Sequence, residues 1–182
     1  NESASNALLK TLEEPNTGLF ILITQRAEQL LSTIRSRCQI VPFIRLNDNE
    51  VHKIIQKLEV FEGIQELSNE KLQELIAFSD GSPGRYLSNL QYWLDISKPL
   101  RHKLEIKVTN QIEVLKLAKE ITDELDVEQQ LWLINFQQHR IWIRENNSNL
   151  VKKLEVLRKQ LLTYVQPRLA WEVTLLEMNF IN

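Results

Sequence analysis

A guanidinium is a planar, permanently charged fork that can bond two oxygens of one phosphoryl group. In this chain of 182 residues the arginine placed for such work is Arg37, flanked by Ser36 and Cys38. By position alone it reads as a surface arginine between a short helix and a strand. No other set of residues assembles a complete chemistry. A phosphate-cradling loop needs Gly-x-x-x-x-Gly-Lys-Ser/Thr, and none of the four glycines is followed by lysine. The apolar strand ending in Asp-Glu that would hold magnesium is missing too, so the chain as given is not expected to hydrolyse a nucleotide or bind a cofactor alone. His52, His102 and His139 are scattered over different predicted helices with no Cys or carboxylate at ligand spacing, and no metal site is expected. No Ser, His and acid are arranged at a strand-to-helix turn for acyl transfer. Trp93, Trp132, Trp142 and Trp171 could stack bases, but apolar neighbours at helical spacing favour helix interfaces. Lys152-Lys153 with Arg158-Lys159 could face phosphate; with Glu155 beside them they read as a solvated face.

The composition narrows the class. With 22 Lys+Arg against 24 Asp+Glu, the formal charge of −2 removes the main electrostatic argument for an autonomous nucleic-acid binder. Four Gly and five Pro are too few for the turns of a sandwich or barrel, and 43% apolar residues suffice for a core, so the chain reads as mainly α. The single cysteine, Cys38, excludes an intramolecular disulfide and suits a reducing cytosol. The longest apolar run, residues 19–23, is far short of the roughly 20 residues that span a bilayer, so no membrane segment is expected. The opening at Asn1, without a basic or apolar leader, suggests a piece of a longer chain.

Periodicity places the elements. Ala4, Ala7, Leu8 and Leu12 predict a helix over residues 3–14, stopped by Pro15-Asn16 and Gly18. Residues 19–24 form a continuous apolar run of the kind buried in a parallel sheet, and residues 39–43 have strand character with Pro42 at an edge or end. Two strands do not make such a sheet, so further strands are expected upstream. Asn47-Asp48-Asn49-Glu50 resembles a capping box leading into Val51, Ile54, Ile55 and Leu58. Ser68 caps a second helix with Leu72, Leu75 and Ile76, and Ser82-Pro83 opens a third with Leu87, Leu90 and Trp93. Beyond a boundary at residues 95–99, helices are predicted over 110–125, 127–144 and 149–165 and from Pro167, as a bundle with short loops. The last carries Leu169, Val173, Leu176 and Phe180.

One constellation is specific. Ser5-Asn6-Ala7-Leu8-Leu9-Lys10-Thr11-Leu12-Glu13-Glu14-Pro15, then Phe20-Ile21-Leu22-Ile23-Thr24, then Thr33-Ile34-Arg35-Ser36-Arg37-Cys38-Gln39 closely resemble the clamp-loader branch of the AAA+ ATPases in motif and spacing. The resemblance implies a truncated AAA+ α/β core over residues 1–43, a three-helix lid over 44–94 and a helical collar for oligomerisation over 95–182. It places Thr24 at sensor 1 and Arg37 as an arginine finger acting in trans on ATP bound by a neighbouring subunit. Around Asp80-Gly81-Ser82-Pro83-Gly84-Arg85 the chain is nearer the delta prime family of bacterial DNA polymerase III than the ATP-hydrolysing gamma/tau subunits. Those carry the sensor-2 arginine where this chain has Gly84, and Arg85 comes one residue, or about 100° of helix, later. The implied partners are the other clamp-loader subunits (gamma/tau and delta) and, through the complex, the sliding clamp and primed DNA in the cytoplasm. The alternative is a gamma/tau-type subunit whose phosphate loop lies upstream. The apolar run at 19–23, lacking its sheet, is also expected either to be disordered or to pair with another copy.

Overall fold

The computed structural model describes residues 8–9, 12–13, 18–58, 64–106, 108, 110–163 and 165–180. They divide into two compact units, Asn1–Ile44 and Arg45–Asn182. The chain is mainly helical, as its composition predicts.

In the first unit, Leu8, Leu9, Leu12 and Glu13 are helical. The remaining positions of the predicted opening helix, including Ala4, Ala7 and the Pro15-Asn16 stop, lie outside the described residues. A 3-10 turn at Ala27–Gln29 precedes the short helix α1 (Ser32–Arg35). Residues 19–24 and 39–43, read from sequence as strands, form no ladder. A strand exists through its neighbour's hydrogen bonds, and no described segment pairs with either. Leu19, Ile21, Ile23 and Phe43 accordingly remain exposed.

The second unit contains α2 (Asp48–Leu58), α3 (Asn69–Phe78), α4 (Pro83–Asp95), α5 (Lys98–Glu105), α6 (Gln111–Glu124), α7 (Val127–Glu145), α8 (Ser148–Leu161) and α9 (Pro167–Phe180). Their starts are written in side chains that satisfy orphan amide groups. Asn47 and Glu50 exchange bonds of 2.9 and 3.0 Å in a reciprocal capping box, as do Asp126 and Gln129 at α7. Ser68, Ser82 and Ser97 cap α3, α4 and α5. Helix α5 is an addition to the sequence reading: only Leu100 of its eight residues is fully buried, too sparse a pattern for periodicity to reveal.

Helices α2, α3 and α4 pack on one another, α3 also meets α7, and α9 packs against both α6 and α8. The stripe Val114, Ala118, Ile121 and Leu125 is buried as its spacing predicts. In α9 the register differs from the expected one. Leu169 and Val173 are exposed, whereas Ala170, Trp171 and Thr174 face inward. A one-residue shift turns the face by about 100°, and burying the indole of Trp171 outweighs burying two aliphatic chains.

An aromatic core joins α3, α4 and α7. Trp132 and Phe136 stack at 5.4 Å between ring centroids, Phe78 meets Phe136 edge-on at 5.3 Å, and Trp93 lies 5.5 Å from Phe136. The polar groups of two buried indoles are matched. Trp132 Nε1 donates to Asn89 Oδ1, and Trp171 Nε1 donates to Gln130 Oε1, each at 2.9 Å. Gln130 in turn donates to the Leu125 carbonyl at 2.8 Å. Three of the four tryptophans therefore fill helix interfaces; Trp142 is 53% exposed.

Candidate functional site

Arg37 sits on a turn that its own neighbours hold rigid. Ile34, 2% exposed, anchors α1 in the first unit. The amide of Ser36 donates to the Ser32 carbonyl, that of Arg37 to Ile34 and that of Cys38 to Arg35, at 2.9, 3.1 and 3.3 Å. With Ile34 turned inward, Ser36 and Arg37 are left on the outer side. Both converge on one acceptor: the Thr33 carbonyl takes Ser36 Oγ at 3.1 Å and Arg37 Nη1 at 2.9 Å. Arg37 Nη2 lies 2.6 Å from Glu13 Oε1, with the side chains 39% and 52% exposed respectively. Two of the five guanidinium N–H groups are thus committed, and three remain for another acceptor.

The other sequence-derived positions are local. Thr24 is exposed, and its Oγ1 accepts from the Arg26 amide at 3.1 Å. Cys38 is a free, half-buried thiol. In the second unit, Arg85 lies in the first turn of α4 with Nη1 3.8 Å from Asp80 Oδ2, while Arg45 Nη1 donates to Asp80 Oδ1 at 2.5 Å. Asp80 and Gly81 both have positive φ, 53° and 74°. A Cβ on Gly81 would come within 2.4 Å of the Leu46 carbonyl oxygen, so this turn is closed by backbone contact. Space around Gly84 is open.

Sequence reasoning missed two charge arrangements. One is the Glu13 partner of Arg37, which no periodicity reveals. The other is built on Lys71, which is buried with Nζ 4.4 Å from the Trp93 ring centroid. Its ammonium meets Glu74 at 2.6 Å and Glu105 at 3.0 Å. Arg144 bonds Glu74, and Arg140 Nε stands 3.4 Å from the same oxygen without hydrogen-bond geometry. Burial would raise the Glu74 carboxyl, but the Lys71 bond and the charges of Lys71, Arg140 and Arg144 outweigh it and hold the group below the usual carboxylate range. An open depression of about 450 Å³ beside this cluster is lined by Glu66, Lys71, Trp93, Lys98, Arg101 and Glu105. Lys98 there is paired with Glu66 at 2.8 Å, so its cations are largely compensated.

The basic run on α8 is partly tied down. Arg158 forms a two-pronged pair with Glu155 at 2.7 and 2.8 Å, and Lys153 donates to the Glu177 carbonyl at 2.6 Å. None of the three histidines is fully buried. Among the described residues no group of three or more His, Cys, Asp or Glu could hold a metal ion, and no helix is long and apolar enough to cross a membrane.

Comparison with known proteins defines the class. Residues 49–178 match the family described as cyanobacterial DNA polymerase III delta prime, C-terminal domain. Residues 1–47 match the family described as DNA polymerase III, delta subunit. The delta prime subunit of Bacillus subtilis is 55% identical over 42 residues, 22% of this chain and 13% of that protein. That of Escherichia coli is 36% identical over 91 residues, covering 50% and 25%. The tau subunit of Bacillus subtilis is 33% identical over 126 residues, covering 66% and 22%. No solved structure matches. The chain is of the clamp-loader subunit class of DNA polymerase III, a replication assembly. Within it, the chain belongs to the delta prime family and spans a quarter or less of these three curated relatives.

Proposed function

We propose that this chain is the C-terminal part of a delta prime subunit that assembles the clamp-loader ring and presents Arg37 to ATP bound by an adjacent subunit. Residues 1–43 would complete an AAA+ core, 44–94 its lid and 95–182 the collar that joins gamma/tau and delta subunits. The complex would load the sliding clamp onto primed DNA in the cytoplasm, with Thr24 at the sensor-1 position. One observation carries the reading: a guanidinium with three uncommitted N–H groups stands on the outer side of a turn pinned by Ile34. Such a group adds little to its own fold and is placed to reach another molecule. In this reading the chain supplies a charge to catalysis without a nucleotide site of its own.

The test uses the full-length subunit in reconstituted complexes. Arg37→Ala should assemble normally and slow ATP turnover. An arginine finger is worth on the order of 10³ to 10⁵ in phosphoryl-transfer rate at its own site, and other sites in the ring will dilute the bulk effect. Arg37→Lys should rescue poorly because it keeps the charge and loses the bidentate fork. Wild-type turnover and clamp loading by both variants would refute the role.

The gamma/tau alternative is supported by the tau match over 126 residues. Against it stands Gly84 at the sensor-2 place, with Arg85 directed to Asp80. An intact Gly-Lys-Ser/Thr loop in the upstream sequence would decide for it.

A further inference from the structure

The ion pair between Glu13 and Arg37 joins residues 24 positions apart, and neither side chain needs it for burial. Leu12, half-buried, sets the helical segment that leaves Glu13 exposed. On the other side, α1 holds the Thr33 carbonyl against Arg37 Nη1 at 2.9 Å. The guanidinium is therefore bound at two points of different character. The carbonyl is a fixed backbone acceptor on a turn pinned by Ile34, while the carboxylate is a mobile charge at the end of a three-bond side chain. A carboxylate 2.6 Å from Nη2 cancels much of the positive field that a phosphoryl group would meet.

We propose that Glu13 is a latch on Arg37 within its own subunit. Its carboxylate holds the Nη2 edge of the fork while no neighbour is engaged, and phosphoryl oxygens arriving from the adjacent subunit displace it. The Thr33 carbonyl keeps Nη1 in register during the exchange. The proposal rests on the trans-acting reading of Arg37 and adds a competitor to it. The latch is weak enough to open, because ion pairs as exposed as this one favour their partners by no more than about five-fold. A doubly charged phosphate that accepts two parallel bonds outcompetes a single carboxylate. No bond is made or broken; the step exchanges one anion for another on the same cation.

The experiment compares complexes containing full-length wild type, Glu13→Gln, Glu13→Ala, Arg37→Ala and the Glu13→Gln/Arg37→Ala double variant. Equilibrium binding of a nonhydrolysable ATP analogue is read alongside the KM for ATP. Both Glu13 variants should bind the analogue about two- to five-fold more tightly and lower KM by the same factor. The double variant should show no such gain over Arg37→Ala, since a latch without its bolt has nothing to release. If Arg37→Ala slows turnover while the Glu13 variants leave affinity unchanged or weaken it, the latch is wrong and the finger stands. If the Glu13 gain persists in the double variant, the carboxylate acts on nucleotide without Arg37 and the latch is likewise wrong. If Arg37→Ala behaves as wild type, the finger reading fails and takes the latch with it.

Discussion

Trp132 donates its indole N–H to Asn89 Oδ1 at 2.9 Å, linking α7 to α4 across 43 positions of sequence. Both side chains are buried, at 8% exposure each. The indole stacks on Phe136 and lies 5.4 Å from the Tyr92 ring, so one residue closes an aromatic cluster and satisfies a buried amide.

Trp132→Phe keeps an aromatic ring and leaves Asn89 Oδ1 without its donor. It should cost about 1–3 kcal/mol, the penalty of an unsatisfied buried acceptor. Trp132→Ala adds a cavity and should cost about 3–5 kcal/mol. Urea unfolding monitored by circular dichroism distinguishes the two, and equal losses would show that the lost hydrogen bond, not packing, sets the cost there.

Acid should loosen the second unit in two windows. His139 is held below its ordinary value of 6.5 by burial, with Glu74 and Asp80 opposing. Glu74 is held below its ordinary 4.5 because its cationic partners outweigh burial. In both cases the unfolded chain takes up a proton at higher pH than the folded one. Each contribution is complete above the ordinary value and is lost as pH falls through the depressed one. Stability measured from pH 8 to pH 3 should begin to fall near pH 6.5 and fall again below about 4.5. Glu74→Gln should shrink the lower window, leaving the part contributed by Glu66 and Glu155, whose bonds to Lys98 and Arg158 also hold them below their ordinary values. At neutral pH it should cost about 3 kcal/mol, the low end for breaking a buried pair, because Glu105 still faces Lys71.

Two glycines three positions apart should respond oppositely to alanine. Gly81 has φ of 74° and a backbone oxygen 2.4 Å from where a Cβ would stand. Gly81→Ala should destabilise by roughly 2 kcal/mol or more. Gly84 lies in the first turn of α4 with open space around it. Gly84→Ala should be neutral to stabilising by about 0.5 kcal/mol. Thermal melts of the two variants provide the check.

Trp142 is 53% exposed, whereas Trp93, Trp132 and Trp171 are 1%, 8% and 2% exposed. Acrylamide should quench one component of the fluorescence much more strongly than the rest, and Trp142→Phe should remove that component while changing stability by less than about 0.5 kcal/mol. Uniform quenching would contradict the buried placements.

Helix starts were legible because their chemistry is local. Ser68, Ser82-Pro83 and the Asp126–Gln129 box act within three residues of themselves, and the stripe from Val114 to Leu125 repeats at the helical period. The surface placement of Arg37 after a short helix was likewise legible from the residues around it. What depends on distant partners was decided only by the tertiary structure. Lys71 reads as a solvated lysine until Trp93, Glu74 and Glu105 surround it. In α9, Trp171 turns the helix by one position because Gln130 and the facing helices receive its indole. The apolar run at residues 19–24 has a strand's composition and no ladder, because local propensity supplies no hydrogen-bonding neighbour. The pairing of Glu13 with Arg37 belongs to the same class: charge attracts through space, and sequence alone does not say which carboxylate the folded chain brings within 2.6 Å.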